Sequence, residues 1–280
     1  MRFALYLANG AAFADPRLLA DLAGEAEASG WDGFFIWDVI ALTGDDDEPQ
    51  PVVDPWVSLA AIAARTERIR IGPMVIPLAR RRVQNVARET VTLDHLSGGR
   101  LTLGVGLGGP AETEFVAFGE EGGASVRAAK LDESLEALTG LWTGEPFTFE
   151  GQHVRLDDVT FQPIPMQEPR MPIWVGGHWP NRGPARRAAR FDGMFPIHTE
   201  WPERVLPPQD CADVLTYIGE HRTITSPFDL VFTTTWTGDL PGSEPATVRE
   251  YEDAGVTWWL QEADEVEQAR RWARDGPPRP

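Results

Sequence analysis

Eight short apolar runs, rich in β-branched residues, alternate with eight longer amphipathic stretches along this chain. The runs, residues 3–8, 33–38, 69–76, 101–106, 172–176, 193–197, 229–235 and 256–260, read as strands. The stretches near 16–29, 55–65, 83–96, 125–142, 180–190, 207–221, 244–254 and 264–274 read as helices. Strict alternation requires crossover connections, and these build a parallel sheet covered by helices. An open doubly wound sheet meets that requirement too, but eight units in succession point to closure. The expected fold is therefore α/β, a single (β/α)8 TIM barrel. No internal repeat or low-complexity linker interrupts the pattern, so residues 1–280 are expected to form one domain.

Local punctuation agrees with this division. Asp15-Pro16 and Asp54-Pro55 each place a capping carboxylate before a proline at the first helical position. Ser97-Gly98-Gly99 supplies the left-handed stop that ends the third helix. The fourth unit is longer than the rest. Its residues 145–170, with Phe147 to Gln152 followed by several prolines, predict a hairpin and a proline-rich excursion between strands 4 and 5. At the start, Met1-Arg2, Phe3 to Ala8 and Ala12-Phe13-Ala14 mimic a signal peptide in outline. The apolar part is shorter than such a segment needs, and a first barrel strand explains it better.

Charge and two scarcities narrow the chemistry. The net charge of −18, from 43 acidic against 25 basic residues, repels phosphate backbones and anionic lipid. No apolar run approaches the length of a membrane span. Nucleic-acid and membrane partners are therefore not expected, and the chain reads as a cytoplasmic protein acting on a small molecule. Cys211 is the only cysteine, which excludes an internal disulfide, a zinc ribbon or an iron–sulfur cluster within one chain. Lys130 is the only lysine and lies in Arg127-x-x-Lys130-x-x-Glu133, the exposed face of a helix. Schiff-base chemistry is set aside with it.

In such barrels the chemistry sits where strands run into the following helices. That rule places His95, His153 and His221 away from the site and keeps His178 and His198. No metal-ligand spacing and no G-x-S-x-G elbow is present, so no catalytic metal and no serine nucleophile is expected. The densest local feature is Trp174-Val175-Gly176-Gly177-His178-Trp179-Pro180-Asn181-Arg182. It reads as a strand ending in glycines that open a helix, where free N–H groups and Arg182 could meet a phosphate. Leu103-Gly104-Val105-Gly106-Leu107-Gly108-Gly109 is similarly small but matches no dinucleotide fingerprint, and reads as room for a flat ring. Arg80-Arg81-Arg82 after the third strand could attract an anionic cofactor tail, although exposed arginines are commonly just solvated. The acidic run Asp45-Asp46-Asp47-Glu48 reads as a solvated lid segment.

Two motif groups carry a resemblance. Ala87-Arg88-Glu89-Thr90-Val91-Thr92-Leu93-Asp94-His95-Leu96-Ser97-Gly98-Gly99-Arg100-Leu101 leads into Leu103-Gly104-Val105-Gly106. Leu141-Trp142-Thr143-Gly144-Glu145-Pro146 is followed by Pro172-Ile173-Trp174-Val175-Gly176-Gly177. Together these resemble the luciferase-like monooxygenase family, from residue 1 to about 262. The resemblance implies the barrel and a flavoprotein oxidoreductase using FMN or the deazaflavin coenzyme F-420. It places the cofactor phosphate near Gly176, Gly177, His178 and Arg182, and the ring near Met74, Val75, Ile76, Leu107 and Gly108. It also implies a non-proline cis peptide at the end of strand 3, for which Val75–Ile76 is the position indicated. Relatives commonly carry a histidine after the aspartate that ends strand 2, whereas this chain reads Trp37-Asp38-Val39. Asp38 and His198, with Glu200 nearby, are the acid–base candidates that remain. The sugar-phosphate dehydrogenase branch, which uses that histidine, is disfavoured by Val39. Relatives often extend further after strand 8 and often form homodimers, which the apolar faces of the early helices permit.

The leading expectation is hydride transfer or monooxygenation on a small, largely apolar organic substrate. Trp37, Trp179, Trp201 and Trp236 are the candidate pocket walls, with at least one expected to be core packing only. A flavin-binding barrel without catalysis and a lyase or isomerase using only the phosphate site are the rival readings.

Overall fold

The computed structural model describes residues 1–44, 48–201, 204–234 and 245–278. Among the described residues, eight strands form the barrel: β1 Arg2–Leu7, β2 Gly33–Ile36, β3 Arg70–Pro73, β4 Leu103–Gly106, β5 Ile173–Trp179, β6 Gly193–His198, β7 Asp229–Thr233 and β8 Trp258–Ala263. The helices that follow them are α1 Pro16–Ala28, α2 Pro55–Arg65, α3 Val83–Ser97, α4 Ala124–Leu141, α5 Arg182–Ala188, α6 Pro208–His221, α7 Pro245–Asp253 and α8 Val266–Asp275. The strands run in the order β3-β2-β1-β8-β7-β6-β5-β4, every pair parallel. A bridge between Ile71 and Leu101 joins the two ends, and a short extension Ile76–Pro77 pairs with Val105 and Gly106 of β4. The alternation read from the sequence is thus a closed parallel barrel.

The predicted caps form as the chemistry requires. The Asp15 side chain accepts the Arg17 N–H and Asp54 accepts the Val57 N–H, each beside a proline in the first turn. Gly98 closes α3 at φ 68°, where a side chain would be strained. The excursion before β5 is a hairpin in which Phe147–Glu150 pairs antiparallel with Arg155–Val159. A second small ribbon pairs Leu42–Thr43 with Pro49–Gln50 after β2. The acidic residues 45–47 lie outside the described residues.

Two segments depart from the sequence reading. The third run breaks after Pro73 and resumes at Ile76, because the chain turns inward between them. The fifth strand runs on to Trp179, so Gly176, Gly177 and His178 lie within β5 rather than in a turn. Backbone pairing with β6 through His178 and Trp179 overrides the two glycines. Helix α5 then starts only at Arg182 and has seven residues.

Alternation along the strands builds two cores. Tyr6, Phe35, Met74, Trp174, Phe195, Val231, Trp258 and Leu260 fill the barrel lumen, with Phe35, Trp174 and Trp258 in mutual contact at 5.3–5.8 Å between ring centroids. The larger core lies between strands and helices and includes Leu5, Leu7, Phe34, Ile36, Val105 and Trp259. At the barrel floor Arg100 donates to the carbonyls of Ala63, Thr66, Ile69 and Ser97, sealing the turns before β3 and β4. No helix among the described residues is long and apolar enough to cross a membrane.

Closure between β3 and β4 depends on a backbone contact. A Cβ on Gly72 would lie 1.9 Å from the Thr102 carbonyl oxygen, which belongs to rigid backbone. Gly72→Ala is expected to lower stability by about 3 kcal/mol or more, read as the shift of the urea midpoint. An unchanged midpoint would show that the barrel need not close through this contact.

Candidate active site at the barrel mouth

The C-terminal ends of the strands form the mouth. Trp37, Val75 and Ile197 are partly exposed there and pack down on the lumen cluster. They give the lumen an apolar upper surface.

Val75 reaches this position through a local turn of the chain. The peptide between Met74 and Val75 is cis, one residue earlier than the Val75–Ile76 position expected from the resemblance. The Tyr6 hydroxyl donates to the Met74 carbonyl at 2.6 Å and fixes that turn. Met74 is buried in the lumen, and Ile76 is buried against the helices. Val75 sits between two glycines: a Cβ on Gly106 would be 2.5 Å from its Cγ2, and one on Gly176 would be 2.9 Å from its Cγ1. The small residues of β4 and β5 therefore admit Val75, a reason sequence inspection could not see. Gly177 faces the other way, where a Cβ would meet Pro184 at 2.3 Å. Leu107 and Gly108, at the end of β4, are held by Arg127, which donates to both carbonyls at 3.1 and 2.5 Å.

The rim after β2 is an ion cluster. Asp38 accepts from Arg81 at 2.9 and 3.0 Å and from Arg80 at 2.7 Å. Arg80 also reaches Glu114 at 2.7 Å, and Glu114 accepts the Ile40 N–H at 3.0 Å. The side chains of Arg80, Asp38 and Glu114 are 5%, 1% and 2% exposed. Burial holds the Glu114 carboxyl above its ordinary pKa against the pull of Arg80. Both Asp38 oxygens thus accept from guanidinium groups. Val39, at the position of the family histidine, has its backbone clamped by the Asn9 side chain at 3.0 and 3.1 Å. It lines a cleft of about 410 Å³ beside the ion cluster. That volume falls in the range of small-ligand sites.

The two histidines differ in direction. His178 follows Trp174 and Gly176 on the lumen face of β5 and is exposed at the mouth. Desolvation by its surroundings draws its pKa below the ordinary value, so the ring is neutral at neutral pH. His198 alternates with Phe195 and Ile197 of the lumen face, placing it toward the helices, and it is 7% exposed. Its Nδ1 accepts the Glu200 N–H at 3.1 Å, so a neutral ring carries its proton on Nε2. Glu200 Oε2 stands 3.7 Å from that ring.

Arg182 lies over the rings of Trp179 and Tyr217, 4.1 and 4.8 Å from their centroids. Trp179 is 3% exposed and belongs to the helix-side core. Trp201 follows β6, its backbone N–H donating to the His198 carbonyl. Trp236 lies outside the described residues.

Sequence reading missed Glu262. It follows Trp258 and Leu260 on the lumen face of β8, beside Tyr6 in the register of β1, and is 2% exposed. Burial is the main cause that raises its pKa well above the carboxylate range; the Asp264 charge adds to it and the Trp37 indole opposes it. Glu262 is one of several acids in an acidic chain, and only strand register separates it from its neighbours. The signal available was the two-residue spacing Trp258-x-Leu260-x-Glu262.

Two stability measurements follow. Asp38→Asn strips a buried carboxylate from two guanidiniums and is expected to lower stability by about 3–5 kcal/mol, seen in denaturant unfolding at pH 7. The Glu262 pKa is higher folded than unfolded, so its contribution is full below the unfolded pKa and is lost as pH rises toward the folded one. From about pH 5 upward, Glu262→Gln should gain on the wild type by about 1.4 kcal/mol per pH unit. A pH-independent difference would mean that Glu262 ionises normally.

The luciferase-like monooxygenase family model matches residues 1–205. An F420-dependent glucose-6-phosphate dehydrogenase of Nakamurella multipartita is 36% identical over 168 residues, 59% of this chain and 48% of that one. The chain spans about half the length of such curated relatives. An uncharacterized protein of Mycobacterium bovis is 30% identical over 253 residues, 84% of this chain and 81% of that one. Among solved structures, an F420-dependent secondary alcohol dehydrogenase in complex with an F420-acetone adduct superposes with a TM-score of 0.77 at 16% identity, covering 96% of each chain. The monooxygenase RslO1 from Streptomyces bottropensis superposes at 0.75 with 21% identity over 98% of this chain and 97% of that one. Likeness at such identities is likeness of fold. Through its family match, this chain belongs to the luciferase-like monooxygenase family.

Proposed function

We propose that this chain is a flavin- or deazaflavin-dependent oxidoreductase that seats FMN or coenzyme F-420 on the apolar surface at the barrel mouth. One observation carries the reading: Trp37, Val75 and Ile197 stand partly exposed above the lumen core, with the buried Glu262 carboxyl, which no cation pairs among the described residues, at their edge. A flat ring with polar edges suits that combination, since its faces need apolar contact and its edge needs hydrogen-bonding groups. Met74, Val75, Ile76, Leu107 and Gly108 form or back the ring-binding side. In this reading His178 and Arg182 would meet the phosphate. Gly176 and Gly177 serve through the space they leave for Val75 and Pro184.

The bound cofactor would supply hydride chemistry, and the protein orientation and a dry surface. Asp38 keeps Arg80 and Arg81 in place at the rim. His198, turned toward the helices, acts on the loop of Glu200 and Trp201 more directly than on a ligand. The substrate is a small organic molecule entering beside Trp37, with Trp201 as a further wall. Relatives named as dehydrogenases and monooxygenases favour catalysis over a cofactor-binding barrel without activity. The dehydrogenase relatives favour hydride transfer over monooxygenation, while Val39 argues against a sugar phosphate as the substrate. We place the protein in the cytoplasm, as a homodimer through the early helices, where Val57 of α2 and Leu96 of α3 are exposed.

Titration of the purified protein with FMN and, separately, with coenzyme F-420 tests this reading through fluorescence. Saturable binding of one, competed by inorganic phosphate and weakened about tenfold in Arg182→Ala, is the expected result. Binding of neither at high micromolar concentration would overturn it.

A further inference from the structure

Glu262 has a surrounding that a purely structural carboxylate would not keep. It is the outermost lumen-facing residue of β8, and its backbone N–H donates to Thr234 Oγ1 at 3.1 Å, which fixes the strand end. Its carboxyl oxygens are shielded from solvent; the Trp37 indole N–H is close enough to act on them as a donor, but neither oxygen completes a hydrogen bond of ordinary geometry among the described residues. Tyr6, its register partner on β1, has committed its hydroxyl to the Met74 carbonyl. Just past β2 the Trp37 indole faces it, just past β7 Thr234, and beyond its own strand Asp264. No Lys, Arg or His pairs with it among the described residues. A carboxylate here would be a buried charge beside a second acid, without a cation. The same group with its proton on is a strong O–H donor, and none of the hydrogen bonds among the described residues uses it.

We propose that Glu262 is a ligand-contacting residue: its carboxyl O–H donates to an acceptor atom, a ring carbonyl or an imine nitrogen, of a flat heteroaromatic ligand lying over Trp37 and Val75. This rests on the cofactor reading above and deepens it, because it assigns the hydrogen-bonding edge of the site to β8. Burial raises the Glu262 pKa and keeps the proton in place at neutral pH. The Trp37 indole, near enough to favour the anion, limits how far the proton is held and couples the acid to the mouth. A donor of this kind selects ligands that present a neutral acceptor. It also makes affinity fall once the acid ionises.

Infrared spectroscopy and ligand titration together decide the matter, with wild type, Glu262→Gln and Glu262→Leu, each checked by circular dichroism. The wild type is expected to show a carboxylic-acid C=O band at pH 7.5 that is absent from Glu262→Gln and moves when FMN or coenzyme F-420 binds. Glu262→Gln keeps an N–H donor and should bind within about threefold of the wild type, independent of pH, while Glu262→Leu binds about tenfold more weakly or worse. Wild-type affinity should fall about tenfold per pH unit above the folded pKa of the acid. A missing acid band, a band unmoved by a bound ligand, or Glu262→Leu binding as the wild type does would each overturn the proposal. Binding of neither cofactor by the wild type overturns the cofactor reading and this contact with it. The acid band of the ligand-free protein separates that failure from an error about Glu262 itself.

Discussion

The barrel closes only because backbone meets backbone between its third and fourth strands. Gly72 lies against the Thr102 carbonyl, and Gly104 lies against the Pro73 carbonyl, where a Cβ would come within 2.4 Å. That approach turns Met74 and Val75 inward and leaves Ile76–Pro77 to resume pairing with β4. Val75 then occupies space that Gly106 and Gly176 leave open. The apolar surface at the mouth is thus a consequence of how the sheet is closed. A parallel barrel is otherwise a filled core, here packed by Trp174, Trp258 and Phe35, with no room for a ligand below that level.

Charge is arranged around the mouth rather than in it. A chain of net charge −18 gathers Arg80 and Arg81 at the rim and commits them to Asp38 and Glu114. Such a buried network gives little net stability, but it fixes the geometry of the elements that carry it. It ties the loop after β2 to the segments after β3 and β4, three of the walls around the proposed ligand. The lumen side has no paired charge among its described residues. Glu262 is the acid there, and Tyr6 beside it is buried, its hydroxyl held on the Met74 carbonyl. The rim holds position, and the lumen edge carries the contact proposed for the ligand.

Much of this was readable from the sequence, for identifiable reasons. Alternation of short apolar runs with amphipathic stretches reports crossover connections directly, and Asp15-Pro16 and Asp54-Pro55 report their helix starts. The order of strands, the excursion hairpin and the family followed from such local signals. The site was less legible, because it is made by contacts between distant residues. Glycines 176 and 177 looked like a phosphate turn, yet one faces Val75 and the other Pro184. Asp38 looked like an available acid, yet both its oxygens are held by arginines distant in sequence. His178 and His198 follow strands alike, but alternation sends them to opposite faces. Glu262 carried no motif at all, and its setting exists only once β8 pairs with β1.

The central claim is that the ligand lies over Trp37 at the mouth, above a lumen that stays sealed. Indole N–H resonances in a ¹⁵N-tryptophan-labelled protein test this directly, with Trp37 assigned through Trp37→Phe. The account predicts that FMN or coenzyme F-420 shifts the Trp37 resonance saturably while those of Trp174 and Trp258, deeper in the lumen, change little. A saturable ligand that leaves Trp37 unmoved and perturbs other indoles would contradict it, and would place the binding site away from the barrel mouth.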